Sequence, residues 1–259
     1  MDIRTIKWNW LFCLAVVSLS PSIANASPVL WIDDAAGNIG TVDVATGTAT
    51  VVGNSGASLT DIAFDPSGNL YGVGFSSLYS INKTTGAATL IGSLGVGDVN
   101  GLVFKSDGTL YASGLTGELY TVNTSTGAAT GVFNTGYGSG GDLAFHSGIL
   151  YYTDGSNLIS LDPSGHTATM IGAIGASPVF GLAEGDNGLL YAAANNDVYS
   201  VDPITGAGTF AASYGNGLLQ AFGTAFYSEA GATVPDPPTL ALFGLGLAGL
   251  GFSRRRKRA

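Results

Sequence analysis

The sequence predicts an all-β fold in which one four-stranded unit is repeated five times and closed into a ring, and three observations predict it. A Leu-aromatic pair recurs at Leu30-Trp31, Leu70-Tyr71, Leu110-Tyr111, Leu150-Tyr151 and Leu190-Tyr191, 40 residues apart each time. Each pair is followed by a second apolar run and then by a turn: Thr46-Gly47, Thr85-Gly86, Thr126-Gly127, Ser164-Gly165 and Thr205-Gly206. The copies are also incomplete at complementary ends, since the first starts directly at Leu30 while Thr224-Ala225-Phe226-Tyr227 follows the last with nothing after it. Self-similarity at this period marks a repeat architecture, and four antiparallel strands in about 40 residues is the size of a β-propeller blade.

The elements of one unit follow in order. The innermost strand is Ile62-Ala63-Phe64, Leu102-Val103-Phe104, Leu143-Ala144-Phe145 or Leu182-Ala183, and the Leu-aromatic strand comes next. The third is Ile39-Gly40-Thr41-Val42, Leu78-Tyr79-Ser80-Ile81, Leu119-Tyr120-Thr121-Val122, Leu158-Ile159-Ser160-Leu161 or Val198-Tyr199-Ser200-Val201, and the outermost is typified by Ala88-Thr89-Leu90-Ile91-Gly92. Short apolar runs bounded by Gly, Asp and Ser are strands, and glycine supplies the positive φ that tight hairpins require. A closing strand at 222–228 completes the first blade and leaves no open sheet edge. The expected body is therefore a five-bladed propeller over 27–230, with repeats beginning near 30, 70, 110, 150 and 190. An open or differently closed β-repeat, or six or seven blades with degenerate copies, is the alternative. The turn Asp65-Pro66-Ser67-Gly68 and its relatives Ser106-Asp107-Gly108 and Asp186-Asn187-Gly188 resemble those of WD40/YVTN-like propellers, a likeness that implies shape and no activity.

Composition agrees with a folded body. Among 259 residues, 46% are apolar, and 40 glycines with 9 prolines stay below the roughly 25–30% of a low-complexity chain. Charge is segregated. Over residues 27–237 only Lys83 and Lys105 oppose 17 Asp and Glu, a net of −15, and so acidic a surface disfavours nucleic acid. The basic residues lie mostly at the ends. Residues 1–26 combine Arg4 and Lys7, an apolar stretch from Trp8 to Leu19, and Ala24-Asn25-Ala26, so a secretory signal peptide cleaved by signal peptidase between Ala26 and Ser27 is expected. Cys13, the single cysteine, lies inside that leader, which leaves the mature chain without thiol chemistry.

At the other end, residues 231–238 form a proline-rich linker, 239–253 an apolar Leu/Gly-rich segment that reads as a short transmembrane helix, and 254–259 a basic cytoplasmic tail. The segment Thr239–Phe252 would make a helix of about 21 Å at 1.5 Å per residue, short for a hydrocarbon core, so membrane association is expected to be transient. The series Val234-Pro235-Asp236-Pro237, apolar helix, Arg254-Arg255-Arg256 resembles the PEP-CTERM sorting signal, with Asp236 where that family usually has glutamate. The resemblance implies export across the inner membrane of a Gram-negative-type bacterium, processing by an exosortase-like enzyme, and residence at the cell surface or in the extracellular matrix.

Candidate chemistry is sparse. No alternating carboxylate series closes on a bidentate acid, so most aspartates read as turn formers, with Asp33-Asp34 or Asp61 with Asp65 the remaining places for a structural calcium. His146 and His166 are the only histidines, and both fall at variable turn positions, so neither zinc nor a nucleophile-base pair is expected. No metal, cofactor or catalytic residue is assigned. What remains is the mouth of the ring, lined by the loops that enter the innermost strands: about 54–61, 96–101, 136–142, 176–181 and 214–223. They carry Asp61, Asp98, Asn100, Tyr137, Asp142, Phe180, Tyr214, Asn216 and Gln220, a mixture of aromatics, amides and carboxylates suited to a ligand such as a glycan. The expected function is binding or scaffolding toward exopolysaccharide or matrix proteins. The alternative is a secreted propeller-fold polysaccharide lyase or hydrolase using the carboxylates of Asp61 and Asp142 at the channel mouth.

Overall fold

In a computed structural model of the chain, residues 27–231 are described. The expected leader, sorting motif, transmembrane helix and basic tail lie outside them. Twenty strands, β1 to β20 in chain order, form five antiparallel four-stranded sheets, and among the described residues there is no helix. Counting outward from the axis, blade 1 has the order β20-β1-β2-β3, and blades 2 to 5 take the next strands four at a time, as β4–β7, β8–β11, β12–β15 and β16–β19. The innermost strands are β4 (Asp61–Phe64), β8 (Val99–Phe104), β12 (Leu143–His146), β16 (Val179–Glu184) and β20 (Ala221–Phe226). Each touches the next, and β20 touches β4, so the five-bladed ring is closed.

Closure is made by the chain's last strand. β20 pairs antiparallel with β1 (Val29–Asp34), from Leu30 opposite Phe226 to Asp33 opposite Gly223, with a bulge before Asp34. The strand ends at Phe226, and Tyr227 and Ser228 belong to the turn beyond it, a small correction to the expected 222–228. A second correction concerns His146, which is the last residue of β12, paired with Ile149, and not part of a turn. His166 does lie in a turn, with φ of 54°.

Burial explains the sequence periodicity. β4 and β8 are buried along their whole length, whereas an outermost strand such as β7 (Ala88–Ser93) is largely exposed or half-buried. The aromatic of each Leu-aromatic pair faces the next blade. Trp31 meets Phe64, Tyr71 meets Phe104, Tyr111 meets Phe145 and Tyr191 meets Phe226, with ring centroids 5.1–5.8 Å apart. Each partner is the aromatic in the last or next-to-last place of the next innermost strand, so the recurring pairs are an inter-blade seam and add specific edge and tilted contacts to plain burial. One seam differs. Between blades 4 and 5 the phenylalanine position is Glu184, and His146 fills the gap, 6.4 Å from the Tyr151 ring with its Nδ1 3.3 Å from Glu184 Oε1.

Both described ends lie on one face. Ser27 Oγ donates to Asp43 Oδ1, the Val44 amide donates to the Pro28 carbonyl, and Ala230 packs in the cluster of Ala63 and Phe104. The turn 227–231 thus lies at the end of the channel opposite the loops that enter the innermost strands. Deleting residues 222–228 should open blade 1 and lower the Tm by more than about 10 °C in scanning calorimetry; an unchanged Tm would mean that the ring is not clasped by this strand.

Candidate functional site

The innermost strands converge on a narrow axis, and one residue position decides how they fit. Around the ring it is occupied by Asp61, Gly101, Asp142, Gly181 and Gly223. The glycines make room: a Cβ on Gly223 would stand 2.1 Å from Asp61 Oδ1 and 2.7 Å from Asp33 Oδ1. The next residue in each strand turns its amide N–H toward the axis, where no further strand can pair with it. The two carboxylates accept all of these. Asp61 takes the amides of Ile62 and Leu102, and Asp142 takes those of Leu143, Leu182 and Thr224, at 2.5–2.9 Å, with Thr224 Oγ1 as a further donor at 2.7 Å. Five equivalent donors, one from each blade, are satisfied by two side chains, as buried backbone groups require.

Both carboxyls are 0% exposed, and Asp33 beside them is 1% exposed without a hydrogen-bond partner of its own. Burial raises all three above the normal carboxylate range, Asp142 to about 7. Asp61 is raised further by the charge of Asp142 and by donating its proton in a hydrogen bond to it, and Asp33 by the charge of Asp142. Ionising both of two buried like-charged groups is costly, and Asp142 has the larger set of donors, the amides of blades 4, 5 and 1 with the Thr224 hydroxyl.

Above this girdle the ring opens into a pocket of about 270 Å³. Every one of the five expected loops contributes to its lining, through Leu59, Asn100, Gly141, Phe180 and Phe222, and the hairpin turns of blades 2 and 3 add Phe75 and Leu115. Phe180 and Phe222 meet edge to face at 6.0 Å. Phe75 and Leu115 are 51% and 44% exposed, so the rim is apolar as well as the floor. The polar lining side chains are Ser58, Thr60 and Asn100; Asn100 is 6% exposed, and its Nδ2 donates to the Ser139 carbonyl at 3.0 Å while its buried Oδ1 has no partner. The Ser139 carbonyl fixes which end of the amide is nitrogen.

The residues singled out from sequence therefore separate into three groups. Asn100 and Phe180 line the pocket. Asp61 and Asp142 lie beneath it, sealed in the axis, a correction to their expected place at the mouth. Asp98, Tyr137, Tyr214, Asn216 and Gln220 are on the mouth face but do not line the pocket. Tyr214 is a tie between segments, its hydroxyl donating to the Asn195 carbonyl and accepting from the Ala221 amide, and Gln220 offers its carbonyl to Ala35. Sequence reading missed Phe75, Leu115 and Phe222. The first two lie in the turn after the Leu-aromatic strand, and their exposed apolar character in a loop was the available signal.

The aspartates considered for calcium have other roles. Asp34 accepts from the amides of Ala36, Asn38 and Leu219, and Asp65 from those of Ser67 and Asn69. Asp65 lies at the opposite end of β4 from Asp61, so the two do not meet. Among the described residues, no group of three or more His, Cys, Asp and Glu is spaced to hold a metal ion. At the far end of the channel, Glu184 is raised by burial, opposed by His146, and Glu229 is raised well above the normal range by burial and by the charges of Asp142 and Glu184.

A family model for the PEP-CTERM protein-sorting motif matches residues 233–257. Among curated proteins none matches the chain. Among solved structures, a chain from a study of the de novo evolutionary emergence of a symmetrical protein shaped by folding constraints is 20% identical, with 74% of this chain and 96% of that one covered at a TM-score of 0.54. A chain of a nidogen/laminin complex is 15% identical, with 77% and 98% covered at a TM-score of 0.54. These likenesses carry the fold alone. The sorting motif implies export, anchoring in the membrane before processing, and exosortase as the processing enzyme.

The axial carboxyls make stability depend on pH in an unusual direction. Their folded pKa values exceed the unfolded ones, so their contribution is complete below about pH 4 and is lost as pH rises through about 7 and beyond. Asp43, Asp107, Glu118 and Asp202 are instead lowered by their hydrogen bonds, so the stability they contribute is lost as pH falls below about 4. The Tm should therefore rise on acidification from pH 8 to about 5, by up to about 3 °C per pH unit for each carboxyl titrating, before falling at lower pH. Asp33→Asn should flatten this rise in a calorimetric pH series, and a Tm that falls steadily from pH 8 to 5 would contradict the protonated cluster. Asp142→Ala strands three buried amides, at about 1–3 kcal/mol each. That variant should lose most of the domain's stability in urea titration, and a midpoint like the parent's would refute its bridging role.

Proposed function

We propose that this chain, which carries a PEP-CTERM sorting signal behind a five-bladed propeller, is an exported binding or scaffolding module of the cell surface or extracellular matrix, engaging exopolysaccharide or a matrix protein at the channel mouth. One observation carries the reading: the five loops that differ most between repeats converge on an apolar pocket holding one unpartnered buried acceptor. Variable loops on a fixed scaffold are where propellers and other rigid folds place recognition.

The position of the chain ends supports the same reading. Residue 231, the last described, lies on the face opposite the mouth, and the matched sorting motif begins at 233 in the sequence. The hydrolytic or lytic alternative needs Asp61 and Asp142 to reach a substrate. Both are 0% exposed and are occupied by backbone amides, which favours binding over turnover.

The test is retention of folded residues 27–231 on polysaccharide and protein fractions of the extracellular matrix. Specific retention that is reduced at least about tenfold by Phe222→Ala is expected. Failure to be retained on either fraction would remove the binding reading, and turnover of a polysaccharide panel that Asp142→Asn abolishes without unfolding would restore the enzymatic one.

A further inference from the structure

The mouth is more selective than its aromatic content suggests, and three features limit what can enter it. Its walls are apolar, formed by Leu59, Phe75, Leu115, Phe180 and Phe222. Its polar groups are almost all occupied. Thr60 Oγ1 donates to the carbonyls of Val73 and Val99, Asn100 Nδ2 donates to the Ser139 carbonyl while its Oδ1 is buried away from solvent, and the exposed Ser58 at the rim is the remaining polar side chain of the lining. The surrounding face is acidic. Asp98, Glu118, Asp154 and Asp197 lie on the mouth side, whereas the lysines and histidines of the described residues, Lys83, Lys105, His146 and His166, all lie on the opposite side.

Resting on the binding reading above, we infer that the pocket takes a single aromatic side chain displayed on a basic segment of a partner polypeptide. An aromatic ring fills an apolar cavity of about 270 Å³, packs on the Phe180–Phe222 pair and carries few polar atoms that would lose water there. A sugar ring of similar size carries several hydroxyls on its rim, and those facing the aromatic and leucine walls would lose water without gaining partners. Lysine or arginine flanking the anchor would face four carboxylates, with no cation among the described residues on that side, which steers encounter and fixes orientation. An aromatic anchor in a desolvated pocket ringed by polar contacts is the usual arrangement of a binding hot spot.

The experiment is calorimetric titration of residues 27–231, a unit closed by β20 and complete in all five sheets. The probes are a short peptide of lysines flanking one tryptophan, the same peptide with alanine at the centre, and a glucosamine tetramer as a cationic sugar of comparable size. The tryptophan peptide should bind at least about tenfold more tightly than the alanine peptide and than the tetramer. Phe75→Ala, at an exposed turn position, should remove that preference with the Tm unchanged. Asp98→Asn should weaken binding severalfold and reduce its salt dependence; asparagine tolerates the φ of 62° found there, so the backbone is kept. Equal binding of the two peptides, tighter binding of the tetramer, or no peptide binding at all would overturn the assignment. Matrix retention of the parent chain separates the two claims: retention without peptide binding leaves the module and removes only this ligand class.

Discussion

Two aspartate side chains at the ring axis set the terms for the rest of the molecule. An innermost propeller strand has a neighbour on one side only, so its axial edge presents amides that need acceptors where water does not reach. Asp61 and Asp142 supply them, and because each accepts from its own strand and from others, the bonds run between blades as well as within them. The three glycines at the equivalent positions are the other half of the arrangement, since any side chain there would collide with a neighbouring strand or with the carboxyls. Buried charge is costly, and the donors gathered around the two carboxyls offset that cost.

That arrangement also divides the channel. Below the girdle, the turn after β20 lies at the end of the axis, with Glu229 and the His146–Glu184 pair near it. Above it, the cavity is shallow, apolar and open to solvent. The carboxylates that would make the most natural catalytic pair are those the fold needs for its own closure, so the binding proposed above would rest on the side chains above them. Both ends of the described residues, 27 and 231, lie on the closed face, away from the open one.

Most of the fold was legible in the sequence. A 40-residue spacing of Leu-aromatic pairs, the Gly turns and the missing first strand led directly to five blades and to the clasp by the final strand, because each depends on local pattern and counting. The inter-blade seam was legible only in outline: the pairing of Tyr71 with Phe104 joins residues of different copies, and nothing in a single copy says which neighbour it faces. The loops of the mouth were legible as loops. Which of their side chains point into the pocket was not, because that depends on backbone turns such as the left-handed Asp98 and Asn216, and so Asp61 and Asp142 were read as exposed groups when they are sealed. Phe75, Leu115 and Phe222 escaped because they belong to different blades and meet only when the ring closes.

The most direct measurement is residue-resolved hydrogen exchange of the five axial amides, those of Ile62, Leu102, Leu143, Leu182 and Thr224. If two carboxylates hold the ring together, these five should be among the slowest in the domain, should exchange at one common rate set by global unfolding, and should quicken together in Asp142→Asn. Independent, loop-like rates in the five blades, or acceleration confined to blade 4, would show that the blades are held by their seams alone and that the axial carboxylates do not join them.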